Sequence, residues 1–265
     1  MLIDTHSHLY DEKFDEDRDA AVDRAKKAGV GRLLLPAIDR ESYEAMFALA
    51  RRYPDYCFPM MGLHPTSVND NPAYREDLET VARYLADPPE GIRFCGVGEV
   101  GLDLYWSRDF LDGQIEALRF QAELALRYDL PLILHTREAW DEMCDVLSAF
   151  RGRGLRGILH GFCGTEAHYR KIGACGTFLL GIGGPVTYKR SAVAEMLPRL
   201  SPEELVLETD CPYLPPVPFR GRRNESAHIT LVCDKVAELY GTAPEKIAEI
   251  TTANVRRMFG DAIFS

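Results

Sequence analysis

Short apolar, β-branched runs recur along the chain and alternate with longer stretches whose apolar residues return every three to four positions. The runs are Leu2 to His6, Arg32 to Pro36, Cys57 to Gly62, Arg93 to Glu99, Leu132 to His135, Gly157 to His160, Thr177 to Leu180 and Leu205 to Thr209. Between them, spacings such as Ala21, Ala25, Ala28 and Leu118, Ala122, Ala125 predict helices long enough to return the chain to a parallel neighbour. Apolar strands covered by helices on both faces fit a closed barrel or an open doubly wound sheet. Eight βα units in 265 residues favour the closed form, an α/β (β/α)8 TIM barrel, read as a single domain over 1-265. Two further helices are expected after the eighth run. One lies near Ser226 to Tyr240; the other opens at the capping-box spacing Thr242-x-x-Glu245 and stops at Gly260.

In parallel barrels the reactive side chains stand where strands end, because the following loops form the open mouth. The predicted ends carry His6 and His8, Glu99, His135, His160 and Asp210. His6 and His8 are two apart, so an extended chain turns both toward the barrel axis, where they can chelate one ion. Asp4 shares that face; it either backs a ligand imidazole or makes a buried structural hydrogen bond. An H-x-H pair alone is also compatible with two half-exposed histidines. Joint placement is more telling: four of the seven histidines fall at strand ends, whereas His168 lies in a helical stretch. Gly96, Gly98 and Gly101 bracket Glu99 and predict close backbone approach, to metals and substrate or at a bulge. Four imidazoles and two carboxylates suit Zn²⁺, Mn²⁺ or Fe²⁺ better than Mg²⁺, which prefers oxygen ligands.

Charge narrows the partners. Lys plus Arg number 31 against 41 Asp plus Glu, a net charge of −10, which argues against a protein that coats nucleic acid through a broad basic surface. The seven cysteines include no C-x-x-C pair, so reduced thiols, no disulfides and a cytoplasmic setting are expected. No apolar run is long enough to span a membrane, and the start Met1-Leu2-Ile3-Asp4 has no export character, so the mature chain is expected to begin near Met1. The Pro-dense stretch Pro212 to Pro218 is too short to be a linker.

The chemistry-bearing segments run in order as Asp4-Thr5-His6-Ser7-His8, Gly62-Leu63-His64-Pro65, Gly98-Glu99-Val100-Gly101-Leu102-Asp103, His135-Thr136-Arg137, His160-Gly161-Phe162 and Glu208-Thr209-Asp210-Cys211-Pro212-Tyr213-Leu214. Arg220-Gly221-Arg222-Arg223-Asn224-Glu225 and Ala253-Asn254-Val255-Arg256-Arg257-Met258-Phe259 follow. In these motifs the chain resembles the TatD family of metal-dependent deoxyribonucleases, a branch of the amidohydrolase-like barrels. Gly161 and Cys211 depart from the residues common there, and neither removes a ligand. The resemblance implies two divalent ions (Mg²⁺, Mn²⁺ or Zn²⁺) with Glu99 between them. One ion would also be held by His6, His8 and Asp210, the other by His135 and His160. Two like charges about 3.5–4 Å apart need an anion between them, which makes a bridging carboxylate reasonable.

Such a pair suits in-line attack of water on phosphorus, so phosphodiester hydrolysis is the expected reaction, with Glu99 and Asp210 as its catalytic residues. Asp210 is expected to orient the water and take its proton. Cys211 has no adjacent histidine in sequence and is assigned no role. Local positive charge for a polyanion is expected from His64, Arg137, Lys189, Arg220, Arg222 and Arg223, with Tyr213 stacking a terminal base. So little basic surface suggests that single-stranded or frayed DNA ends enter a compact pocket, and the resemblance implies 3′ to 5′ polarity. RNA stays open, because no residue is identifiable as a reader of the 2′-hydroxyl. No obligate protein partner is evident. The competing readings are hydrolysis of a small amide, ester or lactone, and a non-catalytic metal-binding module.

Overall fold

The computed structural model describes residues 1–264. Strands and helices alternate as expected: β1 Leu2–Asp4, α1 Arg18–Lys27, β2 Val30–Pro36, α2 Tyr43–Arg52, β3 Cys57–Met60, α3 Tyr74–Ala86, β4 Val97–Asp103, α4 Leu111–Arg127, β5 Leu132–Arg137, α5 Trp140–Ser148, β6 Arg156–Leu159, α6 Glu166–Gly173, β7 Thr177–Ile182, α7 Ala192–Met196 and β8 Leu205–Leu207. Helices α8 Ile229–Tyr240 and α9 Pro244–Phe259 complete the order. All pairings are parallel and sequential within two runs, β1-β2-β3 and β4-β5-β6-β7-β8. Single bridges at Met61↔Val97 and Ser7↔Cys211 join the runs and close the (β/α)8 barrel.

Strand alternation divides the apolar residues. Leu33 and Leu35, or Leu132 and Leu134, pack outward in the large cluster beneath the helices. Leu34, Ile133, Ile158, Leu179 and Val206 turn inward with Ile3, Met60 and Cys95, and α9 seals this layer from below with Val255, Met258 and Phe259. The same period of two carries Ile133 to His135, Ile158 to His160 and Val206 to Glu208, lifting polar groups above the apolar plug. The floor of the site is therefore the top of a packed core.

Several boundaries differ from the sequence expectation. Strand β1 ends at Asp4, so His6 and His8 lie beyond it, held through Asp210 N to His6 O (2.9 Å) and His8 N to Cys211 O (2.8 Å). Glu99 sits inside β4 rather than at its end, because Arg93 to Gly96 stays outside the regular strand and the pairing runs on to Asp103. Gly101 explains the glycines there: at φ 150°, a Cβ would stand 1.9 Å from the His135 carbonyl oxygen, so the close approach is to the neighbouring strand, beside a register shift between Val97 and Val100. The capping box predicted at Thr242 does not form; α9 starts at Pro244 with Ala243 before it and no side-chain cap, while Gly260 ends it at φ 57° as expected. All seven cysteines are free.

Candidate metal centre

Six side chains from the strands and the loops that follow them meet above the plug. His6 Nε2 lies 3.1 Å from Glu99 Oε2 and 3.8 Å from Asp210 Oδ1, and His8 Nε2 lies 3.6 and 3.5 Å from the same two atoms. The two imidazole nitrogens are 3.1 Å apart. Bonds of about 2.0–2.1 Å to a tetrahedral ion give ligand edges of about 3.3–3.4 Å, so His6, His8 and Glu99 fit the shell of one small cation, with Asp210 Oδ1 beside the two imidazoles. The other carboxylate oxygen of Glu99 faces a different group: Oε1 is 2.9 Å from His135 Nδ1, 3.4 Å from His64 Nε2 and 3.8 Å from His160 Nε2. His64, Glu99 and His135 form one candidate ligand cluster, and His6, His8 and Glu99 another. His160 stands between the two, stacked on His6 at 3.3 Å between ring centroids and 3.8 Å from Asp210 Oδ1.

The far nitrogens of three rings are held from behind. His8 Nδ1 meets the Tyr10 hydroxyl at 2.8 Å, and His135 Nε2 meets Asp103 Oδ2 at 2.9 Å. His160 Nδ1 lies 3.0 Å from Glu208 Oε1, a charge contact without hydrogen-bond alignment. Such outer partners fix ring orientation and tautomer and leave the inner nitrogen free for a cation. Gly181 makes room for one of them, since a Cβ there would stand 2.2 Å from Glu208 Oε2. Asp4 does not contact an imidazole ring. Its carboxylate accepts from Thr209 N (2.9 Å) and Thr209 Oγ1 (2.6 Å), and burial pushes its pKa up to about 7 against those bonds.

Electrostatics show what the cluster lacks. Burial pulls His8 and His160 down, but the surrounding carboxylates outweigh it and raise them to about 9 and about 10. Burial and the neighbouring His160 hold His6 at about 4, and burial also lowers His64. Glu99 and Asp210, penalised by burial, are nonetheless held below the ordinary carboxylate range by the imidazoles. Anionic carboxylates draw positive charge onto neighbouring rings, which is the electrostatic demand that a divalent cation meets.

Helix α4 supports this centre in a way that the sequence reading missed. Gln114 Oε1 accepts from Asp103 N at 2.8 Å while its Nε2 donates to Asp103 O at 3.0 Å. Two turns later Gln121 pairs with both backbone groups of Leu63 (2.8 and 3.1 Å), beside His64. Their signal was a polar residue repeating on an apolar helix face. Tyr10, Asp103 and Glu208 were also unassigned; the last two have their imidazole partners on other strands, whereas Tyr10 meets His8 two residues away.

Of the expected substrate contacts, His64, Arg137 and Tyr213 line the roughly 390 Å³ cavity over the cluster. Arg137 lies 3.5 Å over the Tyr105 ring. Arg220 lies over Tyr188 instead, and Arg223 is engaged by Asp17, Glu225 and the Lys13 carbonyl. Lys189 and Arg222 are exposed and line neither this cavity nor its larger neighbour. Trp106 was missed: it lines the cavity yet is 70% exposed, unusual for a large aromatic. Tyr105, Tyr213, Leu214 and Val217 are the other large exposed hydrophobics on these loops.

The family model described as TatD related DNase matches residues 3–260. The chain belongs to the TatD family. YabD of Bacillus subtilis, an uncharacterized metal-dependent hydrolase, is 35% identical over 260 residues, covering 98% of this chain and 99% of its own. The 3′-5′ ssDNA/RNA exonuclease TatD of Erwinia tasmaniensis is 32% identical over 266 residues, with 97% and 99% covered. The crystal structure of YjjV, a TatD homolog from Escherichia coli, superposes with a TM-score of 0.87 at 31% identity over 97% of each chain. An uncharacterized amidohydrolase from Saccharomyces cerevisiae shares the fold at 17% identity (TM-score 0.84). This TatD-family chain is thus a metal-dependent hydrolase acting on ester bonds, with clustered imidazoles and carboxylates suited to a divalent ion. Among the described residues, no helix is long and apolar enough to cross a membrane.

Proposed function

We propose that the protein is a 3′ to 5′ exonuclease acting on single-stranded or frayed DNA ends, in which the residues around Glu99 would hold two divalent ions. The observation that carries this reading is the division of Glu99, whose Oε2 faces His6 and His8 while Oε1 faces His135 and His64. His6, His8 and Asp210 would complete one position; His135 and His160 the other, with His64 close enough to join it. Ions held there would supply Lewis acidity, activating water and offsetting charge on the phosphate oxygens. Asp210 Oδ1 faces the imidazoles, and its second oxygen has no hydrogen bond or ion pair among the described residues. That oxygen orients the attacking water and accepts its proton, while the departing sugar oxygen takes a proton from solvent. Asp210 is held at φ 57°, in the left-handed region, by its backbone bond to His6. Arg137, at the rim, contacts the phosphate, and Trp106 with Tyr213 offers flat faces for unstacked bases. These features suit a strand end entering a narrow mouth in an acidic protein, and a relative of similar length is named for ssDNA and RNA exonuclease activity.

The test is digestion of 5′-labelled single-stranded DNA by chelator-stripped protein reloaded with Mg²⁺, Mn²⁺ or Zn²⁺, beside Glu99→Ala. A ladder shortening from the 3′ end, dependent on metal and absent in the variant, is expected. No cleavage by fully metallated wild type would move the substrate to a small amide, ester or lactone.

A further inference from the structure

Asp210, assigned above to the attacking water, sits on an unusual turn. It stands at φ 57° and Leu214 at φ 47°, so the turn begins and ends in the left-handed region, which is sparsely populated by residues other than glycine. Such a conformation persists only where its surroundings over-determine it. Two of its bonds are backbone ones, Asp210 N to His6 O (2.9 Å) and Tyr213 N to Asp210 O (2.8 Å). A further hold comes from outside the turn. Asn224, fully buried ahead of α8, donates from its one Nδ2 to Thr209 O (2.8 Å) and to Tyr213 O (2.7 Å). Those carbonyls belong to the peptide planes that lead into Asp210 and Leu214, the two left-handed residues. A single amide therefore fixes both planes from which the unusual dihedrals are measured. The amide is itself aimed: its Oδ1 accepts from Glu225 N at 2.9 Å, which settles which end is oxygen, and lies 3.0 Å from His228 Nδ1. Its NH₂ is left facing the turn.

We propose that Asn224 is a positioning residue for hydrolysis: it lines neither cavity at the barrel mouth and acts by setting the direction of Asp210. The assignment rests on the reading of Asp210 as metal ligand and base. Asp210 Oδ1 lies 3.8, 3.5 and 3.8 Å from the Nε2 atoms of His6, His8 and His160, so rotation of the peptide plane ahead of it shifts the carboxylate against all three. The same rotation moves its second oxygen off the line to the attacking water. A buried amide can also serve as a plain staple, and the protein contains the matched case. Asn254 of α9, 1% exposed, donates from Nδ2 to Pro202 O (2.9 Å) and Leu205 O (2.7 Å), where β8 begins. The two asparagines make the same kind of clamp at opposite ends of one strand, and only Asn224 holds the end that carries a ligand.

The test compares Asn224→Ala and Asn254→Ala with wild type as full-length protein. Both should lower the urea midpoint, since each strips buried carbonyls of a donor. On 5′-labelled single-stranded DNA with metal-loaded protein, only Asn224→Ala should lower kcat, by about 10- to 100-fold with KM nearly unchanged, the scale of a misplacement of roughly 1 Å set from a distance. In calorimetric titration of the chelator-stripped proteins with Mn²⁺, Asn224→Ala should weaken one binding event about tenfold and Asn254→Ala neither. His228→Ala, at a partly exposed site, loosens the amide without emptying its place and should give a smaller loss of the same kind. Equal kcat in the two asparagine variants, or a loss carried by KM, would overturn the assignment. If Asn224→Ala does not fold, an unchanged kcat in His228→Ala overturns it instead. Wild type that binds Mn²⁺ yet cleaves no DNA would remove the nuclease reading, and the calorimetric comparison would then decide the clamp by itself.

Discussion

Asp103→Asn separates a structural carboxylate from one that sets up a metal ligand. Asp103 is buried, accepts from Tyr105 N at 3.1 Å through Oδ1, and meets His135 Nε2 at 2.9 Å through Oδ2. An amide has one acceptor oxygen for these two partners. If the oxygen stays with Tyr105, the new NH₂ faces His135 and favours the tautomer with its proton on Nδ1, the nitrogen now 2.9 Å from Glu99. The lone pair needed for a cation is then lost. Outer-partner substitutions of this kind weaken metal binding about 10–100-fold, or about 1.4–2.7 kcal/mol. Calorimetric titration of chelator-stripped protein with Mn²⁺ should resolve two events, of which Asp103→Asn weakens one. Tyr10→Phe, which removes the partner of His8 Nδ1, should weaken the other. At saturating metal for the wild type, a tenfold loss should lower Tm by about 2–3 °C through linkage. Unchanged affinity at both positions in a folded Asp103→Asn protein would refute the claim that Asp103 sets the His135 tautomer.

Trp106→Ala should raise KM for single-stranded DNA about 5- to 100-fold, the worth of one base stack, with little change in urea midpoint because the ring is largely exposed; an unaltered KM would take Trp106 out of the substrate path. Gln121→Leu leaves both backbone groups of buried Leu63 unpaired and should cost about 2–5 kcal/mol in urea unfolding, with a larger loss of activity than Tm alone explains because His64 is next in the chain. Arg223→Ala tests the surface network instead. Hydrogen bonds from Arg223 and Arg24 hold Asp17 below its ordinary 3.8; Glu225, opposed by burial, is still held below 4.5 by Arg24 and Arg223. Carboxylates with depressed folded values stabilise the protein above their unfolded values and lose that contribution as pH falls through the folded ones. Urea unfolding should therefore show a loss of about 1 kcal/mol for Arg223→Ala at pH 7 that shrinks steadily below pH 4, and a loss independent of pH would refute the pairing.

Most of the barrel was legible because strands buried on both faces read as short continuous apolar runs, and inward residues such as Ile133 and Ile158 lead two positions on to His135 and His160. The six candidate ligands come together, although His6 and His8 lie past the end of β1 and Glu99 lies inside β4. Sequence was weakest where tertiary contact decides. Asp4 could face an imidazole or a neighbouring strand, and only the approach of Thr209 determines which. His64 reads as a rim cation from its loop, yet burial lowers its pKa and places a neutral ring against Glu99. Arg223 reads as a mouth residue from its motif but is occupied by Asp17, a partner from the other end of the chain.

The join between the first and last strands has a consequence for synthesis. Thr5 N bonds to Leu207 O, Asp4 grips Thr209, and Ser7 bridges to Cys211, so the loops bearing His6, His8 and Asp210 are welded across about 200 positions of sequence. Contacts that distant form late, since they require most of the intervening loop entropy to be spent first. A ribosome-bound chain therefore displays His6 and His8 before Glu99 and long before Asp210 emerges. Hydrolytic competence should appear all at once, when the ring shuts, so partially made chains hydrolyse nothing.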